Sequence, residues 1–268
     1  MPWPYRLPNR QSWRIVYNTA ALAGSLKRNT VHNAQSKILV ALDVPTIEEA
    51  LALVRQLRGR VGGFKIGLEL CHSAGTPQAI AAISEAGGAV FADVKLKDIP
   101  NTVAGATRAL CKPGVLMLNL HCDGGLAMLR AAANARDASA HRPLLLGVTV
   151  LTSAGERELR EAGVGGGVGD QVLRLAQLAR EAGLDGVVAS PHEVAAIKRA
   201  CGDDFLCVAP GVRPAWAAAG DQQRTLAPAE ALAAGADYLV IGRPITAPPP
   251  GVGGPAEAAE RILQELGS

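Results

Sequence analysis

A chain of 268 residues, 49% hydrophobic and 19% charged, has the material for one large core or two small ones. Its formal net charge of +3 gives no electrostatic reason to seek nucleic acid, and no apolar run reaches the ~18 residues of a membrane-spanning helix. The cysteines, Cys71, Cys111, Cys122, Cys201 and Cys207, are odd in number and scattered through apolar runs. They read as buried, reduced thiols of a cytoplasmic protein, without the spacing of a metal knuckle.

Residues 1–36 stand apart. They hold Arg6, Arg10, Arg14, Lys27 and Arg28 with no Asp or Glu, so residues 37–268 are left at a formal −2. An acid-free, Arg-bearing leader is compatible with a transit peptide but lacks the apolar stretch of a secretory signal. A basic, flexible extension preceding one folded domain, residues 37–268, is the expectation.

From Lys37 onward, short apolar runs alternate with Ala/Leu/Arg-rich stretches of helical length. The predicted strands are Lys37–Asp43, Gly63–Gly67, Ala89–Lys95, Val115–His121, Leu144–Leu151, Gly186–Ala189, Phe205–Ala209 and Tyr238–Ile241. Their apolar character suits parallel strands covered by helices on the outside. Predicted helices include Thr46–Leu57, opened by a Thr46/Glu49 capping box, and Gly169–Ala182, which is apolar along one face. Eight strand–helix units match a single-domain (β/α)8 TIM barrel. A doubly wound open sheet is the alternative, but Ala41-Leu42-Asp43-Val44-Pro45 stands where its glycine fingerprint would follow the first strand.

In a barrel, chemistry belongs at the carboxyl ends of the strands. Polar residues collect there: Asp43, Lys65, Asp93 and Lys95, Asn119 and His121, Thr152, and Gly242 with Arg243. Strand alternation turns Phe91, Asp93 and Lys95 to one face and Val90, Ala92 and Val94 to the other. It also turns Lys65 inward, with Phe64 and Ile66 outward. Charges facing a barrel interior are costly unless paired, so these groups must meet. An Asp-x-Lys pair alone fits a structural ion pair equally well. With Lys65 and Asp98 added, the expectation is an array of two cations and two anions that keeps its lysines protonated. Such an array suits stabilising a developing negative charge and donating a proton.

The run Phe91-Ala92-Asp93-Val94-Lys95-Leu96-Lys97-Asp98-Ile99-Pro100-Asn101-Thr102-Val103 closely resembles the signature of orotidine 5′-monophosphate decarboxylases. Further matches follow the family's order: Ala41-Leu42-Asp43, Phe64-Lys65-Ile66-Gly67, Val148 to Ser153, Ala209-Pro210-Gly211-Val212-Arg213, Gly220-Asp221-Gln222 and Tyr238 to Pro244. The departures are small: Lys97 replaces a residue that is often aromatic, and Val164–Gly169 is unusually glycine-rich.

The resemblance implies a cofactor-free, metal-free lyase of pyrimidine biosynthesis that converts orotidine 5′-monophosphate to UMP. Lys95 would protonate the pyrimidine C6 as carbon dioxide leaves, Asp93 would press against the substrate carboxylate, and Lys65 and Asp98 would complete the charge network. Asp43, Lys65 and Thr102 would hold the ribose, with Ile99 also among the substrate-binding positions. Thr152 and Gln222 would lie near the base and a closing loop, and Arg213, Gly242 and Arg243 would grip the phosphate. In this family the residue matching Asp98 enters the neighbouring subunit's site, which implies a homodimer.

Two other readings stay open at this stage. Magnesium-dependent sugar-phosphate decarboxylases and aldolases share Asp-x-Lys-x-x-Asp, but they carry a metal-binding carboxylate on strand two where this chain has Lys65. Glu69 is the substitute ligand they would need. A non-catalytic nucleotide-binding barrel is the other, although no expected catalytic position is substituted.

Overall fold

Each apolar run of the sequence becomes a strand in the computed structural model, whose described residues are 34–217 and 225–267. The strands are β1 (Ile38–Leu42), β2 (Gly63–Ile66), β3 (Val90–Leu96), β4 (Val115–His121), β5 (Leu144–Val148), β6 (Gly186–Val188), β7 (Leu206–Ala209) and β8 (Tyr238–Ile241). Every strand pairs in parallel with the next, and β8 returns to β1, so the sheet is a closed TIM barrel and not an open doubly wound sheet.

Alternation along the strands builds two cores. Leu39, Ala41, Phe91, Met117, Leu146, Val208, Tyr238 and Val240 fill the barrel interior. Their neighbours Ile38, Val40, Leu42, Phe64, Ile66, Val90 and Ala92 face the helices. Each fully buried side chain of this size contributes about 1.5–3 kcal/mol, and the closed sheet leaves no edge to protect. All five cysteines are free and buried in these layers. Burial pushes the Cys122 and Cys207 thiols up to about 12.

The helices follow their local signals. Thr46 caps the helix Ile47–Leu57 by accepting from the Glu49 N–H at 3.2 Å, a contact that typically stabilises by about 1 kcal/mol. The Glu49 carboxylate accepts from the Thr46 hydroxyl instead of from its backbone N–H, so the capping box is only half formed as expected. The stretch expected at Gly169–Ala182 is helical over Val168–Glu181. The glycine-rich stretch before it forms the turn that opens this helix.

The amino-terminal rim of the barrel is stitched twice in the same way. Asp185, just before β6, accepts from the Leu145 N–H of β5 and pairs with Arg136 of the helix Leu126–Asp137. Asp237, just before β8, accepts from the Cys207 N–H of β7 at 2.8 Å and pairs with Lys198 of the helix Val194–Cys201 at 2.8 Å. Each carboxylate thus ties one strand to its neighbour and to a helix.

Two strands differ from expectation where they approach the carboxyl rim. β5 ends at Val148, three residues early: Thr149 still bonds the Val188 carbonyl of β6 through its N–H and its hydroxyl, but the chain bends at Val150 and a turn from Leu151 to Ala154 carries it over the mouth. β3 runs one residue further than expected, to Leu96, but through an irregularity. Ala92 pairs with Leu118 and Leu96 with Leu120, so residues 93–95 of β3 face the single residue Asn119.

Candidate active site

The irregularity in β3 places the charges. Lys95 has φ of +49°, the one positive value at a non-glycine position among the described residues. A left-handed conformation costs a side-chain-bearing residue about 1–2 kcal/mol, and such strain collects at functional sites. Alternation therefore accounts for Phe91 and Asp93 but not for Lys95, which reaches the same mouth by a turned backbone.

The resulting chain of charges is continuous. Lys95 Nζ lies 2.6 Å from Asp93 Oδ1, Lys65 Nζ lies 3.3 Å from Asp93 Oδ2, and Lys65 Nζ also donates to Asp43 Oδ1 at 3.0 Å. Burial alone would push the Lys65 ammonium down, yet Asp93 and Asp43 hold it above its ordinary value. Burial likewise pushes the Asp93 carboxyl up, but Lys65, Lys95 and a hydrogen bond from Asn119 hold it below the usual range. Two lysines thus alternate with two aspartates along one chain of contacts.

The second anion is Asp43, where Asp98 was expected. Asp98 is exposed at the start of the helix Pro100–Leu110, and its Oδ1 accepts from the Ile99 N–H at 2.6 Å. Ile99 and Thr102 are exposed beside it, and none of the three lines the cavity of its own chain.

That cavity encloses about 460 Å³ and gathers the other expected residues: Asp43, Lys65, Asp93, Lys95, Thr152, Arg213, Gly242 and Arg243. Phe91 and Ala41 form its apolar floor, and Val150, Leu151 and Pro210 lie on its walls. β3 and β7 lie opposite each other in the closed barrel, so Lys95 and Arg213 approach the space from opposite sides. Partial burial and the neighbouring Arg243 guanidinium draw Arg213 below its ordinary value. Two guanidinium groups converging beside Gly242 suit a doubly charged phosphate. Gln222 lies outside the described residues.

Asn119, placed at the mouth by the sequence but given no role there, meets the charge array directly. It is fully buried on β4, donates to Asp93 Oδ1 at 2.7 Å and accepts from the Lys95 N–H at 2.8 Å. Its inward parity with Met117 was the available signal. His121, two residues on, sits half-buried with its Nδ1 4.0 Å from Asp123 and does not line the cavity. Lys97 pairs with Asp123 at 2.6 Å on the rim.

Comparison with known proteins matches residues 36–262 to one family model, described as "Orotidine 5'-phosphate decarboxylase / HUMPS family". The chain belongs to this family. Among its relatives, a protein of Moorella thermoacetica named orotidine 5'-phosphate decarboxylase is 54% identical over 240 residues, covering 87% of this chain and 93% of the relative. One of the same name from Syntrophotalea carbinolica is 52% identical over 238 residues, covering 87% and 96%. The crystal structure of orotidine 5'-phosphate decarboxylase from Lactobacillus acidophilus superposes with a TM-score of 0.75 at 35% identity, covering 86% of this chain and 99% of that one. The model's name spans two branches of the orotidine 5'-phosphate decarboxylase / HUMPS family, so the residues of the mouth must choose between them. Here Asp43 and Asp93 are already bridged by the Lys65 ammonium, and Glu69 is exposed outside the cavity.

Proposed function

We propose that the chain decarboxylates orotidine 5′-monophosphate to UMP in pyrimidine biosynthesis, without a metal or organic cofactor. The observation that carries this reading is the Asp43–Lys65–Asp93–Lys95 chain facing an arginine pair across one small cavity. Relatives about half identical to this chain, named for that reaction, support it.

The reaction breaks the bond between C6 and its carboxylate, releases carbon dioxide and leaves an electron pair on C6. Lys95 Nζ gives its proton to C6, and the neutral amine is reprotonated from water. The ammonium also stabilises the carbanion as it forms, the transition-state complementarity on which such a rate rests. Asp93 faces the departing carboxylate, while Asp43 and Lys65 hold the ribose. Thr152 and Gln222 contact the substrate, and Arg213, Gly242 and Arg243 hold the phosphate. The required acceleration lies towards the ~23 kcal/mol end of ordinary enzymes, so binding energy from the remote phosphate must be used at the reacting carbon.

Each site is completed by a second copy. Asp98, Ile99 and Thr102 project away from their own cavity, and Ile99 is 67% exposed. An apolar side chain beside a carboxylate on an open rim suits an isologous interface in which the partner supplies Asp98 to the charge array. Residues 37–268 carry this activity, and of the basic stretch 1–36 that precedes them, residues 1–33 lie outside the described residues. Among the described residues no helix is long and apolar enough to cross a membrane, and five buried free thiols fit the cytoplasm.

Adding orotidine 5′-monophosphate and following pyrimidine absorbance tests the reading. Turnover that survives overnight chelation supports it. Activity lost on chelation and restored by magnesium returns the chain to the sugar-phosphate alternative, which the Lys65 bridge disfavours, and no absorbance change leaves only a nucleotide-binding barrel.

A further inference from the structure

We propose that Asn119 is a positioning residue for this reaction, a two-ended clamp that fixes the Asp93 carboxylate and the turned Lys95 backbone at one separation; the inference rests on the decarboxylase reading above.

The geometry leaves few other ways to hold Lys95. Where residues 93–95 bulge away from the ladder, the Lys95 N–H lies opposite a single β4 residue and takes its bond from the Asn119 side-chain oxygen at 2.8 Å. The other end of the same amide donates to Asp93 Oδ1 at 2.7 Å, the oxygen that also meets Lys95 Nζ at 2.6 Å. Asn119 itself is completely buried, with Met117 below it in the barrel core. An amide is rigid and planar, with a donor and an acceptor a fixed distance apart. It therefore sets the spacing of a strained backbone atom and a buried carboxylate without adding charge between two lysines. A carboxylate here would oppose Asp93, and an aliphatic side chain would strand both a buried N–H and a carboxylate lone pair.

The clamp acts through Asp93 and Lys95 and touches neither phosphate nor ribose groups. Its loss should appear in kcat and leave KM nearly alone, a split that a purely structural asparagine would not produce. The test measures kcat and KM for orotidine 5′-monophosphate in wild type, Asn119→Ala and Asn119→Asp, with folding checked by near-ultraviolet circular dichroism. Asn119→Ala should lose about ten- to a hundredfold in kcat with KM changed less than about threefold.

Asn119→Asp keeps an acceptor for the Lys95 N–H. Its new carboxyl, when protonated, can donate to Asp93 as the amide does. Its kcat relative to wild type should therefore fall as pH rises and that proton is lost. The groups facing Asp93 during this titration are Lys65 of β2, Lys95 of its own strand, His121 of β4, Cys71 behind Lys65 and, through Lys65, Asp43 of β1. Because the variants are compared with wild type at each pH, their shared titrations cancel.

A kcat within twofold of wild type in folded Asn119→Ala, or a loss confined to KM, overturns the clamp. If Asn119→Ala does not fold, Asn119→Asp decides: a kcat ratio to wild type that is flat with pH overturns it equally. Absence of turnover in wild type would instead overturn the decarboxylase reading itself.

Discussion

A Cβ built on Gly67 would stand 2.9 Å from Lys65 Nζ. It would also stand 3.0 Å from Asp43 Oδ1, so a side chain at this position presses on both ends of the ion pair at once. Gly67 has φ of −93°, which any residue adopts, so the constraint is space and not backbone freedom.

Gly67→Ala should therefore fold almost as wild type yet catalyse poorly. The lysine must swing away from Asp43, and a misplacement of about 1 Å in such a site costs roughly a hundredfold in rate. Steady-state kinetics beside a thermal melt check this. Wild-type kcat/KM would show that Lys65 moves without consequence.

Arg243→Ala should reduce kcat/KM by about 2–4 kcal/mol on the nucleotide and scarcely at all on a substrate analogue lacking the phosphate. The basis is the convergence of Arg213 and Arg243 beside Gly242 at the cavity. Inorganic phosphate should also raise the melting temperature of wild type more than that of the variant. Equal kinetic losses on both substrates would make Arg243 structural.

The proposed sharing of Asp98 between two copies predicts complementation. Homodimers of Lys95→Ala and of Asp98→Asn should both be nearly inactive. Random exchange makes about half the dimers mixed, each with one intact site, so remixing should restore about a quarter of wild-type activity. Heterodimers recovered by a tag on one variant provide the check. If they stay as inactive as their parents, Asp98 serves its own chain.

The charge array also sets a pH dependence of stability. Asp93 is depressed in the folded protein, so its contribution is present above the unfolded value of about 3.9 and is lost as pH falls through the folded value. Lys65 is raised, so its contribution is present below about 10.4 and is lost as pH rises through the folded value. Asp93→Asn should flatten the acid decline below about pH 4 relative to wild type. Denaturant unfolding from pH 2 to 7 measures it, and parallel curves would mean that Asp93 is not stabilised by its lysines.

The strand order and the inward parity of Phe91, Asp93 and Lys65 were legible because strands in a closed, helix-covered barrel must be apolar except where they reach the mouth. Lys95 was assigned to the right place by the wrong route: a positive φ at a lysine leaves no mark in composition, whereas a glycine would have advertised it. Asp43 was identified, but its ion pair with Lys65 was not, since the contact between the ends of two neighbouring strands is a tertiary distance. β5 was read too long because Val150 and Leu151 are apolar enough for a strand, whereas the chain bends at Val150 and turns from Leu151 to Ala154. Asn119 was placed at the mouth, but nothing beside it in the sequence suggested a partner or a clamp.

The paired stitches made by Asp185 and Asp237 lie at the rim remote from Lys95. Two neighbouring strand pairs, β5 with β6 and β7 with β8, are thus fastened by contacts that no substrate touches, and the catalytic rim carries a strained lysine without having to supply those ties. Substitutions at the mouth are thereby insulated from the barrel's integrity, leaving this end of the molecule open to selection for new substrates while the opposite end keeps the architecture constant.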